Sequence, residues 1–128
     1  MDIVAAVFIE EMEMRSVAGP STRIDITGVH FSLAAPSPVP LTIEPHLLVL
    51  VRCRAEEAGQ GALEVTYQRD GEQVARNVQP LQVEPGKFNY RLVRAQLEFT
   101  DYGTVEAYCR LDEGPTVVVP LTLLPPVT

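Results

Sequence analysis

The sequence contains no tryptophan, a single lysine, two histidines and two cysteines in 128 residues. Basic residues are scarce: 10 Lys and Arg face 17 Asp and Glu, for a net charge of -7. A nucleic-acid binder needs a basic patch to displace counterions, and none is present, so no nucleic-acid partner is expected. The same charge disfavours an anionic lipid surface, and no apolar run reaches the length of a membrane span. The eight glycines are scattered one to a turn, so no phosphate cradle forms. Ser16, Ser21, Ser32 and Ser37 lack a Gly-x-Ser-x-Gly setting, and neither a Cys-x-x-Cys nor a His-x-x-x-His spacing occurs. The acidic corners at Asp70–Glu72, Asp101–Gly103 and Asp112–Gly114 offer one or two carboxylates each, too few for calcium, and Asp-Gly serves such corners for backbone reasons alone. No catalytic residue, cofactor or metal is therefore expected. Asp2 stands where a signal peptide carries positive charge, which makes a cytoplasmic protein the expectation. Nine arginines to one lysine, with abundant Ala, Val, Gly and Pro, point to a GC-rich bacterial genome.

What is present is strand periodicity. A length of 128 residues with 46% hydrophobic content suits one domain, 1–128, with a core of its own. Residues 3–9 are apolar on both faces, as in a strand central to a sheet or covered on its second side. Residues 16–21, SVAGPS, are turn chemistry. Residues 22–33 read as a second strand whose apolar phase slips at Gly28, from Ile24 and Ile26 to Val29, Phe31 and Leu33, as a β-bulge would produce. Three prolines within 34–40 make an extended crossing between sheets. Leu47–Val51 is again apolar on both faces, and Leu63, Val65 and Tyr67 alternate with polar residues. Asp70-Gly71 is a type I′ hairpin signal, followed by a polar edge strand over 72–78. A long strand covers 88–99, and Asp101-Tyr102-Gly103 is a tight corner. Val105, Ala107, Cys109 and Leu111 then share one face, and Val117, Val119, Leu121 and Leu123 form the last strand before Pro125-Pro126. Seven to nine antiparallel strands with turns every 8–12 residues mark an all-β sandwich.

Cys53 and Cys109 both fall at inward positions with 55 residues between them. With the Asp101-Tyr102-Gly103 corner, they give the chain a resemblance to the immunoglobulin-like β-sandwich superfamily. That fold carries a facing cysteine pair at about this separation on its second and sixth core strands. The chain departs from it in lacking a Trp between the cysteines, and Tyr108 stands directly before Cys109 rather than two residues before it. A reducing compartment favours two free buried thiols over a disulfide. The chain also resembles small bacterial single-domain β-sandwich proteins of unknown function, through VAAVFIEE, RIDITGVHFSL, the proline-rich crossing and the long apolar strand that follows. That resemblance implies architecture and no site.

One surplus carries functional content. Val4, Ala6 and Phe8, Leu48 and Leu50, and Val118 exceed what a single sandwich interior needs, and a sheet with two apolar faces must cover the second. The proline-rich segment 34–45 or a partner could supply that cover. The expectation is a non-catalytic interaction or assembly module whose partner is another protein or a second copy of the chain in a homodimer. The alternative is a small-ligand site near the loops that hold His30, His46 and Tyr102, where lone histidines are more often hydrogen-bonded structure than general bases.

Overall fold

A computed structural model describes residues 1–17, 19 and 21–127. It is all-β, with eleven strands among the described residues: β1 (Asp2–Arg15), β2 (Arg23–His30), β3 (Ser32–Ala34), β4 (Leu41–Ile43), β5 (His46–Arg52), β6 (Gln60–Arg69), β7 (Glu72–Gln82), β8 (Phe88–Arg94), β9 (Leu97–Phe99), β10 (Gly103–Leu111) and β11 (Thr116–Leu124). No helix among these residues is long and apolar enough to cross a membrane. The expected seven to nine strands become eleven for two reasons. The strands expected over 22–33 and 88–99 each split into two pieces, and the proline-rich stretch contributes the short β4. The turn expected over 16–21 lies in part outside the described residues.

The strands form a sheet of order β2-β1-β5-β8, a sheet of order β3-β11-β10-β6-β7, and a small β4-β9 pair. The two larger sheets bury a common apolar layer. Phe8, Leu47, Val49, Val51 and Val93 from the first meet Leu63, Val65, Tyr67, Val105, Ala107, Cys109, Leu121 and Leu123 from the second, while Leu97 and Phe99 of β9 join the same cluster. As the alternation indicates, each strand contributes every second residue. The strand at 3–9 lies inside its sheet, as its two apolar faces require. The chain leaves the first sheet at Phe31 to add β3 beside β11 in parallel, and the proline-rich segment then leads back through β4 to β5. At the 70–71 hairpin Asp70 and Gly71 hold φ of 52° and 80°, the left-handed pair a type I′ turn needs. The strand that follows is the sheet edge, where Pro80 removes no needed donor.

β5 is buried on both sides, and the second cover is the chain itself. Leu48 is 0% exposed yet points away from the sandwich interior, as does buried Ile9. β1 runs past the end of β5 after Ile9, and its residues 10–15 pair only with β2. Met14 and Ile24 of that extension line a groove of about 140 Å3 together with Leu50, Phe88 and Tyr90 at the opposite end of β5 and β8. The far half of the β1–β2 ribbon therefore turns back across the outer face of its own sheet. Met14 and Ile24 stand at the Leu50 end of that face, while Ile43 and Pro45 of the proline-rich segment stand beside Ile9 at the other end.

Both cysteines are free and buried. Burial pushes the Cys109 thiol up to about 12. Tyr67, beside Cys109, is fully buried, and its hydroxyl has no hydrogen-bond partner among the described residues. Burial and the neighbouring thiol push that hydroxyl well above the ordinary tyrosine range. An unmet buried hydroxyl costs about 1–3 kcal/mol of desolvation. Tyr67→Phe, which deletes only the hydroxyl, is therefore expected to leave stability unchanged or raise it by about 1 kcal/mol in urea unfolding. A loss above about 1 kcal/mol would mean that the hydroxyl has a partner. Alkylation of native protein at pH 8 is expected to spare Cys109 and to modify it only after unfolding. Rapid labelling of the native thiol would contradict its burial.

Candidate functional site

Where the ribbon bends, four polar residues line a groove with an apolar floor. Ile9 and Glu10 of β1, His30 at the end of β2, Leu33 of β3, Ile43 of β4, Glu44, Pro45 and His46 at the start of β5 line a groove of about 300 Å3. β1 makes the convergence. Phe8 pairs with His30 on one side, and Ile9 pairs with His46 on the other, so two histidines 16 positions apart in sequence flank one strand. The bend rests on Gly28, which holds φ at +69°. The register is the same on both sides of it, with Ile9 opposite Val29 and Glu11 opposite Thr27, so the expected bulge is absent and the glycine's left-handed backbone takes its place. Glu10 folds over this glycine: a Cβ there would lie 2.5 Å from the Glu10 carboxyl carbon. The Glu10 carboxylate reaches to 3.9 Å from His30 Nε2, an ion-pair distance too long for a hydrogen bond.

The groove offers two carboxylates, two imidazoles and an aliphatic floor. It contains no hydroxyl or thiol that an imidazole could activate. No group of three or more His, Cys, Asp or Glu among the described residues could hold a metal ion.

The residues singled out from sequence separate into groups. His30 and His46 both line the groove, one on each side of β1, but Tyr102 does not join them. It belongs to the corner before β10, where its hydroxyl accepts the Val39 N–H at 3.4 Å and its carbonyl accepts from the Arg69 guanidinium at 2.7 Å. Arg69 also lies over the Phe99 ring, 4.8 Å from its centroid. Tyr102 is thus a tie between loops, because its ring faces the proline-rich segment and not the histidines.

The six residues expected at an interface do not form one face. Phe8 is buried between the sheets and Ala6 packs against that core, because both lie on the inward side of β1. Leu48 is covered by its own sheet's surroundings, and Leu50 is half-buried at the groove beneath Met14 and Ile24. Val4 is exposed at a register shift between Ile3 and Ala5, and Val118 is exposed opposite Tyr108 on the other sheet. What sequence reasoning missed lies beside the groove. Val29 and Phe31, expected on a buried face, are 46% and 77% exposed, because β2 is the sheet edge and the chain changes sheets at Phe31. Glu10 was not among the residues singled out either. The available signal was its position two residues beyond inward-facing Phe8, opposite a glycine.

No protein-family model matches the chain. Nor does any curated protein match it.

The bend gives a direct test. A left-handed non-glycine residue costs about 1–2 kcal/mol, so Gly28→Ala is expected to lose at least that in urea unfolding, with an excess from collision with Glu10. Glu10→Ala in the same chain should remove the excess and leave the backbone cost. Equal losses with and without Glu10 would show that the two residues do not collide.

Proposed function

We propose that the protein is a non-catalytic interaction module that docks a protein segment at the bend of the β1–β2 ribbon. Phe31 is the apolar anchor, and the His30–His46 groove is the adjoining recess. The observation that carries this reading is the juxtaposition of the groove with the large exposed aromatic that directly follows His30. Exposed aromatics beside a recess are the usual anchors of protein contacts. The absence of a nucleophile in the groove and the long Glu10–His30 separation favour binding over catalysis.

The strand order supports an immunoglobulin-like arrangement for this module. β1-β5-β8 corresponds to A-B-E, and β7-β6-β10-β11 corresponds to C′-C-F-G, with β2 added outside A. Cys53 follows the B-like strand and Cys109 lies in the F-like strand, where that fold places its cysteine pair. Two free thiols suit a reducing cytoplasm, consistent with a bacterial intracellular protein.

A second copy of the chain is the other occupant to consider, since Val29 and Ile26 are exposed along the edge strand β2. Unpaired edges template pairing with another chain. Sedimentation at micromolar concentration separates the two: a 14.1 kDa species alone removes the homodimer and leaves a different protein as the partner. For either occupant, Phe31→Asp is expected to weaken the contact at least tenfold without altering the thermal melt. Peptide-library selection followed by amide-shift mapping identifies the site. Shifts confined to β7 or β8 rather than to residues 28–33 would overturn the reading.

A further inference from the structure

Resting on the reading of the bend as a recognition site, we infer that the groove receives a lysine or arginine side chain from the docked protein segment. The charges around it are unbalanced. Among the described residues Arg15, Arg23, Arg52, Arg54, Arg76, Arg110 and Lys87 each have a carboxylate partner, whereas Arg69, Arg91 and Arg94 have none and do not line the groove. Of the carboxylates that line the groove, Glu44 has no cation partner among the described residues and Glu10 has only His30 at 3.9 Å. Arg94 stands opposite His46 on β8 without lining the groove. Two carboxylates thus face a recess that lacks a cation.

The shape fits the same occupant. Ile9, Leu33, Ile43 and Pro45 provide an aliphatic wall, and Glu10 and Glu44 supply acceptors. Lysine and arginine bury a methylene stem against apolar surface while keeping the charged head at a polar rim. A volume of about 300 Å3 holds such a side chain. An anionic side chain would meet two like charges, and a purely aliphatic one would leave both carboxylates without a partner. The imidazoles of His30 and His46 add hydrogen-bonding groups beside the carboxylates.

The probes are N-acetyl-lysine N-methylamide and N-acetyl-arginine N-methylamide, with N-acetyl-norleucine N-methylamide as the uncharged comparison. In each titration the amide and imidazole resonances of His30 and His46 are followed in the folded chain. Saturating shifts at these residues are expected with the cationic probes at millimolar concentration, with at least fivefold weaker binding of norleucine. Glu44→Gln and Glu10→Gln are each expected to weaken the cationic probes at least threefold. Glu44→Gln is the arm least coupled to folding, because Glu44 has no ion pair among the described residues. Equal binding of norleucine, or unchanged binding in both variants, would overturn the inference. Its failure is distinguishable from failure of the docking reading. Protein segments that dock through Phe31 while the cationic probes leave His30 and His46 unmoved refute only the cation. Probes that saturate the groove while no segment depends on Phe31 refute only the docking.

Discussion

Burial of β5 on both faces is the constraint on which the rest depends. Leu47, Val49 and Val51 commit one side to the sandwich interior, and Leu48 demands cover on the other. Each fully buried leucine removes about 1.5–3 kcal/mol of apolar surface from water, so exposure of Leu48 would be a large loss for a domain of this size. β1 answers by running beyond its partner and turning back with β2. That return requires a bend, the bend requires Gly28, and the bend places Glu10 and His30 beside the start of β5. The groove thus lies where the ribbon leaves the edge of β5.

The ends of the ribbon are held by different means. At its tip, Asp25 accepts from both Arg15 and Arg23, and these two guanidiniums hold its carboxyl below the usual range. All three groups are exposed enough that the cluster sets geometry more than stability. At the bend there is no such clamp, and the backbone freedom of one glycine does the positioning. The corner before β10 follows a third scheme. There Arg69 ties the Tyr102 carbonyl and covers the Phe99 ring, so one cation orders three segments.

Much of this was legible from alternation alone. The inward sets Leu63-Val65-Tyr67 and Val105-Ala107-Cys109-Leu111 lie in the core where period two puts them, and the Asp70-Gly71 hairpin has the expected backbone. The two-faced character of residues 3–9 and 47–51 was equally plain. What stands over the second face was not, because it depends on Met14 and Ile24 lining one groove with Leu50 and Tyr90, and no local pattern encodes that meeting. The phase slip at Gly28 was visible, but a bulge and a left-handed bend leave the same trace in sequence. Val29 and Phe31 therefore looked buried when the edge position exposes them. His30 and His46 could be named as candidates, yet their meeting depends on β1 standing between their strands, a register that spacing cannot supply. Tyr102 shows the converse: its neighbourhood marked a corner, and a corner is what it serves.

The parallel pairing of β3 with β11 has a consequence for how the chain reaches this state. It joins Ser32 to Thr122 and Leu33 to Leu123, so it can form only after nearly the whole sequence is available. The β1–β2 ribbon closes over a short loop and needs nothing later than residue 30. Loop-closure entropy and the non-local character of such contacts place them at opposite ends of the folding order. A chain emerging from the ribosome would thus hold its ribbon early, with the Ile9 and Met14 surfaces still uncovered. Final closure waits for the C-terminal strand to seat beside β3. That interval, between an early hairpin and a late parallel edge, is when the segment that later frames the groove stands open to other chains.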